Sequence, residues 1–253
     1  MPYIDRDGVK ISYSDEGSGR PILLSHGYSA TKQMWRGQVQ ALSPRYRVIT
    51  WDMRGHGESD SPADPSLYSE AATVADMAAI LAACGVDRAV IGGLSLGGYM
   101  SLAFNVVHPA MVRALMLFDT GPGYRNPTAR EGWNRISEER ARAFETQGLA
   151  ALGAGAEVRI ASHRSATGLA LAARGMLAQF DSRVIESLES IAVPTLVLAG
   201  ENDQPFLGAT GYMANKTPGA RKVLLADAGH AANIDQPAAF NEAVSGFLDS
   251  LPA

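Results

Sequence analysis

Short runs of apolar residues, separated by longer stretches with helical spacing, dominate the pattern along this chain. The runs are Ile22 to Leu24, Val48 to Thr50, Ala89 to Ile91, Ala114 to Phe118 and Thr195 to Leu198. They do not alternate with polar residues, which is typical of parallel strands covered on both faces. Between them, the spacing predicts helices over Ser69 to Cys84 and Leu96 to His108. Strands and helices in this alternating order indicate an α/β fold with a mostly parallel, doubly wound sheet.

The N-terminal segment has a different pattern. Val9 to Tyr13 alternates apolar and polar residues, and Asp15-Glu-Gly-Ser-Gly follows it with turn-forming residues. We therefore predict a half-exposed strand and an N-terminal hairpin here.

The alternation of strands and helices fails between residues 124 and 191, where Arg, Glu and Ala dominate and no strand-like run occurs. We interpret this segment as a helical cap inserted into one core, formed by residues 1–123 and 192–253. After it we predict a helix near Ala209 to Asn215, a strand at Lys222 to Leu225 and a closing helix from Pro237 to Leu248.

Composition narrows the function classes. Of the 253 residues, 46% are apolar and 19% charged, with a net charge of −4, as in ordinary globular enzymes. There is no Lys and Arg patch to suggest a nucleic-acid partner, and no apolar stretch long enough to suggest a membrane partner. The N-terminus is charged where a signal peptide needs an apolar run, so we expect a cytoplasmic protein. Cys84 is the single cysteine, which excludes an intrachain disulfide and a cysteine-based metal site. We expect no cofactor.

The candidate chemistry starts at Gly93-Leu94-Ser95-Leu96-Gly97. This matches G-x-S-x-G, between an apolar strand and a helix, the context in which the motif places a nucleophilic serine on a strained turn. Small residues are needed on both sides of Ser95 because the turn is tight. The amides at the start of the following helix favour developing negative charge.

A serine hydroxyl needs a base within hydrogen-bond reach. Among the five histidines, His230 follows the last predicted strand on a loop of small residues, and we assign it as the base. The acid that orients it has two candidates at strand ends. Asp203 follows the strand Thr195 to Gly200, and Asp119 ends the strand Ala114 to Phe118. We favour Asp203 and expect Asp119 to accept a hydrogen bond from the Thr120 to Gly123 turn.

With these residues, the chain resembles members of the α/β-hydrolase superfamily, in the branch of small capped bacterial hydrolases. Four segments carry the resemblance in order, namely Ser25-His26-Gly27-Tyr28, Trp51 to Ser59, Gly93 to Gly97 and Ala228-Gly229-His230. The resemblance implies antiparallel first strands, the chain order Ser, Asp, His, and an oxyanion hole made by the backbone N–H groups of Leu96 and Tyr28. It also implies that His26 shapes the oxyanion loop. His26 and Trp35 are candidate substrate contacts, and packing is the alternative role for the aromatic rings of Tyr28 and Trp35.

A nucleophile, a base and an oxyanion hole specify acyl transfer to water but not the acyl group. We expect a small carboxylic ester as substrate. The alternatives are an enol-lactone, which the resemblance also suggests, and less favourably a carbon–carbon bond. Ser95 argues against dehalogenase and epoxide hydrolase chemistry, which use an aspartate nucleophile in this fold. A non-enzymatic alternative is a receptor that keeps the fold and closes its cap on a ligand.

Overall fold

Eight strands form one sheet in the computed structural model, which describes residues 2–252. In chain order they are β1 (Tyr3–Arg6), β2 (Val9–Gly17), β3 (Arg20–Ser25), β4 (Tyr46–Trp51), β5 (Ala89–Leu94), β6 (Val112–Phe118), β7 (Thr195–Gly200) and β8 (Arg221–Leu225). Their order across the sheet is β1-β2-β4-β3-β5-β6-β7-β8. β2 is antiparallel to both β1 and β4, and every later pairing is parallel. The predicted mostly parallel sheet is confirmed.

Helices cover both faces of this sheet. The helices, including those of the segment between β6 and β7, are α1 (Arg36–Leu42), α2 (Glu70–Ala83), α3 (Leu96–Val107), α4 (Pro127–Gln147), α5 (Ala156–Arg159), α6 (Ala166–Ala172), α7 (Arg183–Glu186), α8 (Gln204–Lys216), α9 (Ala232–Asp235) and α10 (Pro237–Asp249). In β6, Leu115 and Leu117 pack in the core with α2 and α3, whereas Met116 and Phe118 pack with α1 and α10. Both faces are buried, which explains why the strand sequences do not alternate.

The N-terminal hairpin lies earlier than predicted. Its turn is Asp7-Gly8, where both residues have positive φ (56° and 82°), and it joins β1 to β2. β2 continues to Gly17 and pairs with β4, so the glycine-rich turn after it leads to β3 on the far side of β4. The alternating pattern identified the strand but not its partner, because that partner is distant in sequence.

The segment between β6 and β7 contains α4, α5, α6 and α7, and no strand among its described residues. This agrees with the predicted helical insertion. Treating residues 124–191 as a cap separate from the core remains our interpretation. Beyond it, α8 begins at Gln204, earlier than predicted, because Pro205 stands in its first turn, where proline is pre-organised for a helix.

The inserted helices are anchored closely on core loops. The Tyr28 hydroxyl donates to the Leu169 carbonyl of α6 (2.8 Å). A Cβ placed on Gly175 would lie 2.0 Å from the Tyr68 carbonyl, so the backbones approach at a distance that only glycine permits. His163 accepts from the Gly57 N–H (3.2 Å) and donates to the Ser29 carbonyl (2.9 Å). These contacts fix the insertion over the loops that follow β3 and β4.

A buried ion pair ties the loop after β4 to α2. Arg54 donates from Nε to Asp76 Oδ2 (2.6 Å) and from its terminal nitrogen to Asp76 Oδ1 (2.8 Å). The two side chains are only 4% and 0% exposed. Such a pair is costly to break, because the remaining charge stays buried without its partner.

We predict that Asp76→Asn lowers the free energy of unfolding by about 3–5 kcal/mol, since it leaves the Arg54 guanidinium without a counter-charge. The measurement is urea unfolding followed by circular dichroism. The double variant Arg54→Met/Asp76→Leu should be more stable than the single variant because no charge remains buried. A double variant that is less stable than Asp76→Asn would contradict this account.

Candidate active site

Ser95 occupies the turn between β5 and α3. Its backbone has φ 54° and ψ −116°, an unfavourable conformation for a residue with a side chain. It stands at the N-cap position of α3, yet its hydroxyl makes no capping hydrogen bond. The described residues include no hydrogen bond from this hydroxyl to His230, an interaction that is often long in free enzymes and shortens with substrate. The serine side chain is therefore held on a strained turn without a structural partner.

The turn is possible because two glycines flank it. A Cβ on Gly93 would lie 2.4 Å from the backbone of Gly97, and a Cβ on Gly97 would lie 2.1 Å from the Ser25 carbonyl. Real Cβ atoms do not approach backbone so closely, so any side chain at either position would open the turn. This is the crowding that the G-x-S-x-G spacing predicts.

Two backbone N–H groups in the loops around Ser95 have no acceptor within residues 2–252. Leu96 is the first residue of α3, so its N–H has no partner within the helix. The N–H of Tyr28 likewise has no acceptor among the residues that the structure describes. Ser29 follows with a positive φ of 56°, which turns the loop after β3 sharply at this point.

His26 supports this loop from behind and does not face the cavity. Its Nε2 accepts from the Met53 N–H (2.9 Å), and its Nδ1 lies 2.7 Å from the Gly27 carbonyl. Accepting at Nε2 fixes the neutral tautomer that donates from Nδ1. Complete burial lowers the pKa of His26 to about 3. Its side chain has no exposed surface, so the structure places it as a loop support, in place of the substrate contact that we also considered.

Lys32 and Asp52 support the other end of the same loop. The Lys32 ammonium donates to Asp52 (2.8 Å), Glu58 (2.6 Å) and the Ser12 hydroxyl (2.8 Å). The backbone N–H of Lys32 also donates to the Asp52 carboxylate (2.7 Å). These bonds raise the pKa of Lys32 despite its burial, which acts in the opposite direction. This network could not be predicted from the sequence, because a single lysine in a loop carries no burial signal.

Trp35 is also placed away from the cavity. Its ring has no exposed surface and packs against Phe118 (centroids 5.9 Å apart) and Phe240 (6.4 Å) in the core beneath α1 and α10. Packing, the alternative role considered for this residue, therefore accounts for its position. The Tyr28 ring is also buried, with Phe144 and His56 against it.

His230 and Asp203 meet at the carboxyl end of the sheet. His230 Nδ1 lies 2.8 Å from Asp203 Oδ2. Asp203 is 4% exposed and occupies the N-cap position of α8, but its carboxylate does not cap that helix. Burial lowers the pKa of His230, but the hydrogen bond and the charge of Asp203 outweigh this effect and raise it. Phe206 stacks on the imidazole, with ring centroids 5.0 Å apart.

Asp119, the other candidate acid, has a different environment. It is fully buried, and its Oδ1 accepts from the Gly200 N–H (2.8 Å), across the sheet at the end of β7. The expected bond to the Thr120–Gly123 turn is therefore wrong, because the side chain points to the neighbouring strand. Its Oδ2 has no partner among the described residues. Burial raises the pKa of Asp119 to about 8, so the carboxyl is mostly neutral at pH 7.

A cavity of about 290 Å³ opens beside Ser95, between the core and the inserted helices. Its wall is mainly apolar and aromatic, and includes Leu96, Tyr99, Tyr124, Trp133, Leu177 and Phe206. Phe206 contacts both this space and the His230 ring, so the imidazole lies at its edge. Apart from Leu96, these wall residues have no signal in the sequence, because they come from separate elements that only the folded chain brings together.

The structure was also searched for metal-binding groups and for helices that could span a membrane. Within residues 2–252, no group of three His, Cys, Asp or Glu side chains is arranged to bind a metal ion. In the same range, every helix is too short or too polar to cross a membrane.

Comparison with known proteins agrees with this geometry. The family described as the alpha/beta hydrolase fold matches residues 20–168. A putative 2-succinyl-6-hydroxy-2,4-cyclohexadiene-1-carboxylate synthase of Bacillus subtilis is 31% identical, over 97% of each chain. The 3-oxoadipate enol-lactonase 1 of Acinetobacter baylyi is 31% identical, over 98% of this chain and 96% of its own.

Among solved structures, a thermophilic esterase from Thermogutta terrifontis superposes over 100% of both chains, with a TM-score of 0.84 and 28% identity. The two relatives match 97% and 98% of this chain in sequence, and the esterase matches all of it in structure. The chain therefore belongs to the α/β-hydrolase fold family, as a hydrolase of the branch that includes enol-lactonases and esterases.

Proposed function

We propose that the protein is a serine hydrolase that cleaves a small carboxylic ester through an acyl-enzyme. Ser95 is the nucleophile, His230 the general base and Asp203 the acid that orients the imidazole. The observation that carries the proposal is the 2.8 Å contact between His230 and Asp203, at the edge of the cavity that Ser95 lines. The strained, unpartnered Ser95 supports it.

In the proposed reaction, His230 Nε2 takes the proton of the Ser95 hydroxyl as its oxygen attacks the ester carbonyl. The imidazolium is stabilised by Asp203, and it then gives the proton to the leaving alkoxide as the carbon–oxygen bond breaks. Water, deprotonated by the same imidazole, attacks the acyl-enzyme, and the proton returns to Ser95 as the acid leaves. Asp203 stays ionised throughout.

The free N–H groups of Leu96 and Tyr28 are suited to stabilise the oxyanion formed in both steps. Each has no competing acceptor in the described structure. The bonds of His26 and Lys32 pre-organise the loop that carries Tyr28, so that its N–H need not reorient during the reaction.

Asp119 is less suited than Asp203 to the role of acid. The acid must be an anion to stabilise the imidazolium, and a neutral carboxyl with a pKa of about 8 lacks that charge at pH 7. Its role in this proposal is to hold the amide of Gly200 and so to position the end of β7, three residues before Asp203.

Lactone hydrolysis is the second candidate, because the chain resembles an enol-lactonase over 98% of its length. The same residues perform both reactions, since a lactone is a cyclic ester. Carbon–carbon bond hydrolysis and a receptor role have no specific observation in their favour. Multiple turnover of a short aryl ester would separate an enzyme from a receptor, which would bind its ligand and turn over at most once.

The first prediction from this proposal concerns Ser95. Ser95→Ala should fold normally and lose ester hydrolysis on the order of 10⁴- to 10⁶-fold. A fluorophosphonate should label Ser95 in the wild type, as located by peptide mass spectrometry. Labelling at another residue, or near-normal turnover by the alanine variant, would remove Ser95 from the role of nucleophile.

The second prediction compares the two carboxyl groups. Asp203→Asn should lower kcat by roughly 10³- to 10⁴-fold, because an amide presents N–H to the imidazole and stabilises the wrong tautomer. The matched control is Asp119→Asn, which should retain much of the activity because it replaces a neutral group. Rates of both variants on one aryl ester decide the assignment. A large loss confined to Asp119→Asn would move the acid to the end of β6.

The third prediction uses the raised pKa of Asp119. A carboxyl that titrates near 3.8 when unfolded and near 8 when folded takes up a proton on folding, so its ionisation disfavours the fold. The free energy of unfolding of the wild type should fall between about pH 4 and pH 8 relative to Asp119→Asn, by up to a few kcal/mol. Urea unfolding across this range measures the difference. Parallel stability curves would show that Asp119 is ionised in the folded protein.

A further inference from the structure

Three of the polar side chains in the wall of the Ser95 cavity are bonded within the protein. The Tyr99 hydroxyl donates to Glu70 (2.8 Å), the Thr120 hydroxyl donates to the Ser95 carbonyl (2.6 Å), and the Trp133 indole N–H donates to the Leu177 carbonyl (2.8 Å). These three side chains offer a substrate mainly apolar surface, because their donors are already used.

Gln179 differs from them. Its side chain lines the cavity and the residue is 8% exposed, yet its amide oxygen is buried without a hydrogen-bond partner among the residues that the structure describes. Leaving a buried amide oxygen without a partner is unfavourable. Gly123 packs against this oxygen. A Cβ on Gly123 would lie only 2.8 Å from the Gln179 amide oxygen, so a side chain at position 123 would displace the amide.

The backbone of Gln179 is fixed independently of its side chain. Asn134 on α4 donates to the Gln179 carbonyl (2.7 Å) and accepts from the Gln179 N–H (2.8 Å). This two-point contact holds residue 179 against the cavity whatever its side chain is. The amide is therefore positioned firmly without being needed for that position, as expected of a group that binds a ligand.

The cavity wall contains no Asp, Glu, Lys, Arg or His among its lining residues. An ionised group that entered this apolar space would lose its hydration without gaining a counter-charge from these wall residues, which is strongly unfavourable. A neutral polar group would lose less and could accept a hydrogen bond from the amide N–H₂ of Gln179.

We propose that Gln179 is a specificity residue that binds an uncharged amide or hydroxyl group on the part of the substrate that fills the cavity. The substrate class is then a neutral ester or lactone with an apolar body and one such group, and esters that carry a free carboxylate are rejected. This inference rests on the proposed esterase function.

The test uses p-nitrophenyl esters of increasing chain length that end in a carboxamide, a carboxylate or an apolar branched group of the same shape. At the best length, the wild type should hydrolyse the carboxamide with kcat/KM about three- to tenfold above the apolar analogue. The wild-type kcat/KM for the carboxamide ester should also exceed its kcat/KM for the carboxylate ester, on the order of a hundredfold.

Gln179→Met should abolish the advantage of the carboxamide over the apolar ester. The matched control is Gln147→Met, an exposed glutamine at the end of α4, which should keep that ratio. If thermal unfolding shows that Gln179→Met is not folded, Gln179→Glu serves instead and should reject the carboxylate ester more strongly than the wild type does. An unchanged carboxamide ratio in Gln179→Met, or equal rates for carboxylate and carboxamide, would overturn the proposal.

A binding measurement separates this proposal from the proposed function. Calorimetry on Ser95→Ala should show tighter binding of the unreactive N-methyl amide of the carboxamide chain than of its carboxylate counterpart. Such selectivity without ester turnover by the wild type would uphold the Gln179 site and overturn the esterase function. Turnover of all three esters without selectivity would uphold the esterase and overturn the role of Gln179.

Discussion

The candidate site depends on the close approach of α3 to the end of β3. At Gly97 the two backbones are so near that a Cβ would lie 2.1 Å from the Ser25 carbonyl. This approach forces the turn at Ser95 into its strained conformation and brings the free N–H of Leu96 beside the loop that carries Tyr28. The proposed nucleophile and the proposed oxyanion donors therefore share one cause, which is a packing constraint that only glycine satisfies.

The strained backbone of Ser95 is tolerated because several hydrogen bonds hold the surrounding residues in place. The Ser95 N–H donates to the Phe118 carbonyl (2.9 Å), and the Thr120 hydroxyl donates to the Ser95 carbonyl, so the residue is tied to the neighbouring strand on both sides. Behind the loop, His26 and Lys32 hold the other half of the site in place. An unfavourable dihedral persists only where such neighbours leave no alternative.

Ser95 and Asp203 have a further feature in common. Each stands at an N-cap position, and serine and aspartate are preferred caps, but neither side chain caps its helix. A missing cap costs typically about 1 kcal/mol. In Asp203 the carboxylate bonds His230 instead. Local helix stability is thus reduced at the two positions where a side chain is needed elsewhere, as the trade-off between stability and activity predicts.

Features that depend on residues close together in the sequence could be predicted from it. The G-x-S-x-G turn, the parallel strands and the helical insertion are of this kind, since each has a signal within a short window. The pairing of β2 with β4 had no such signal, and neither did the full burial of Trp35. Gln179 was missed for the same reason, because its role depends on Asn134 and Gly123, which only the folded chain brings to it.

The distribution of charge also connects the fold to its chemistry. Apart from Asp203, which bonds His230, the charged pairs described near the site lie behind the loops, namely Lys32–Asp52 and Arg54–Asp76. The cavity itself has no charged residue in its wall. A low-dielectric cavity strengthens every interaction with a developing oxyanion, because water does not screen it. The same cavity can therefore favour a reaction that creates charge on the substrate and disfavour a substrate that is already charged.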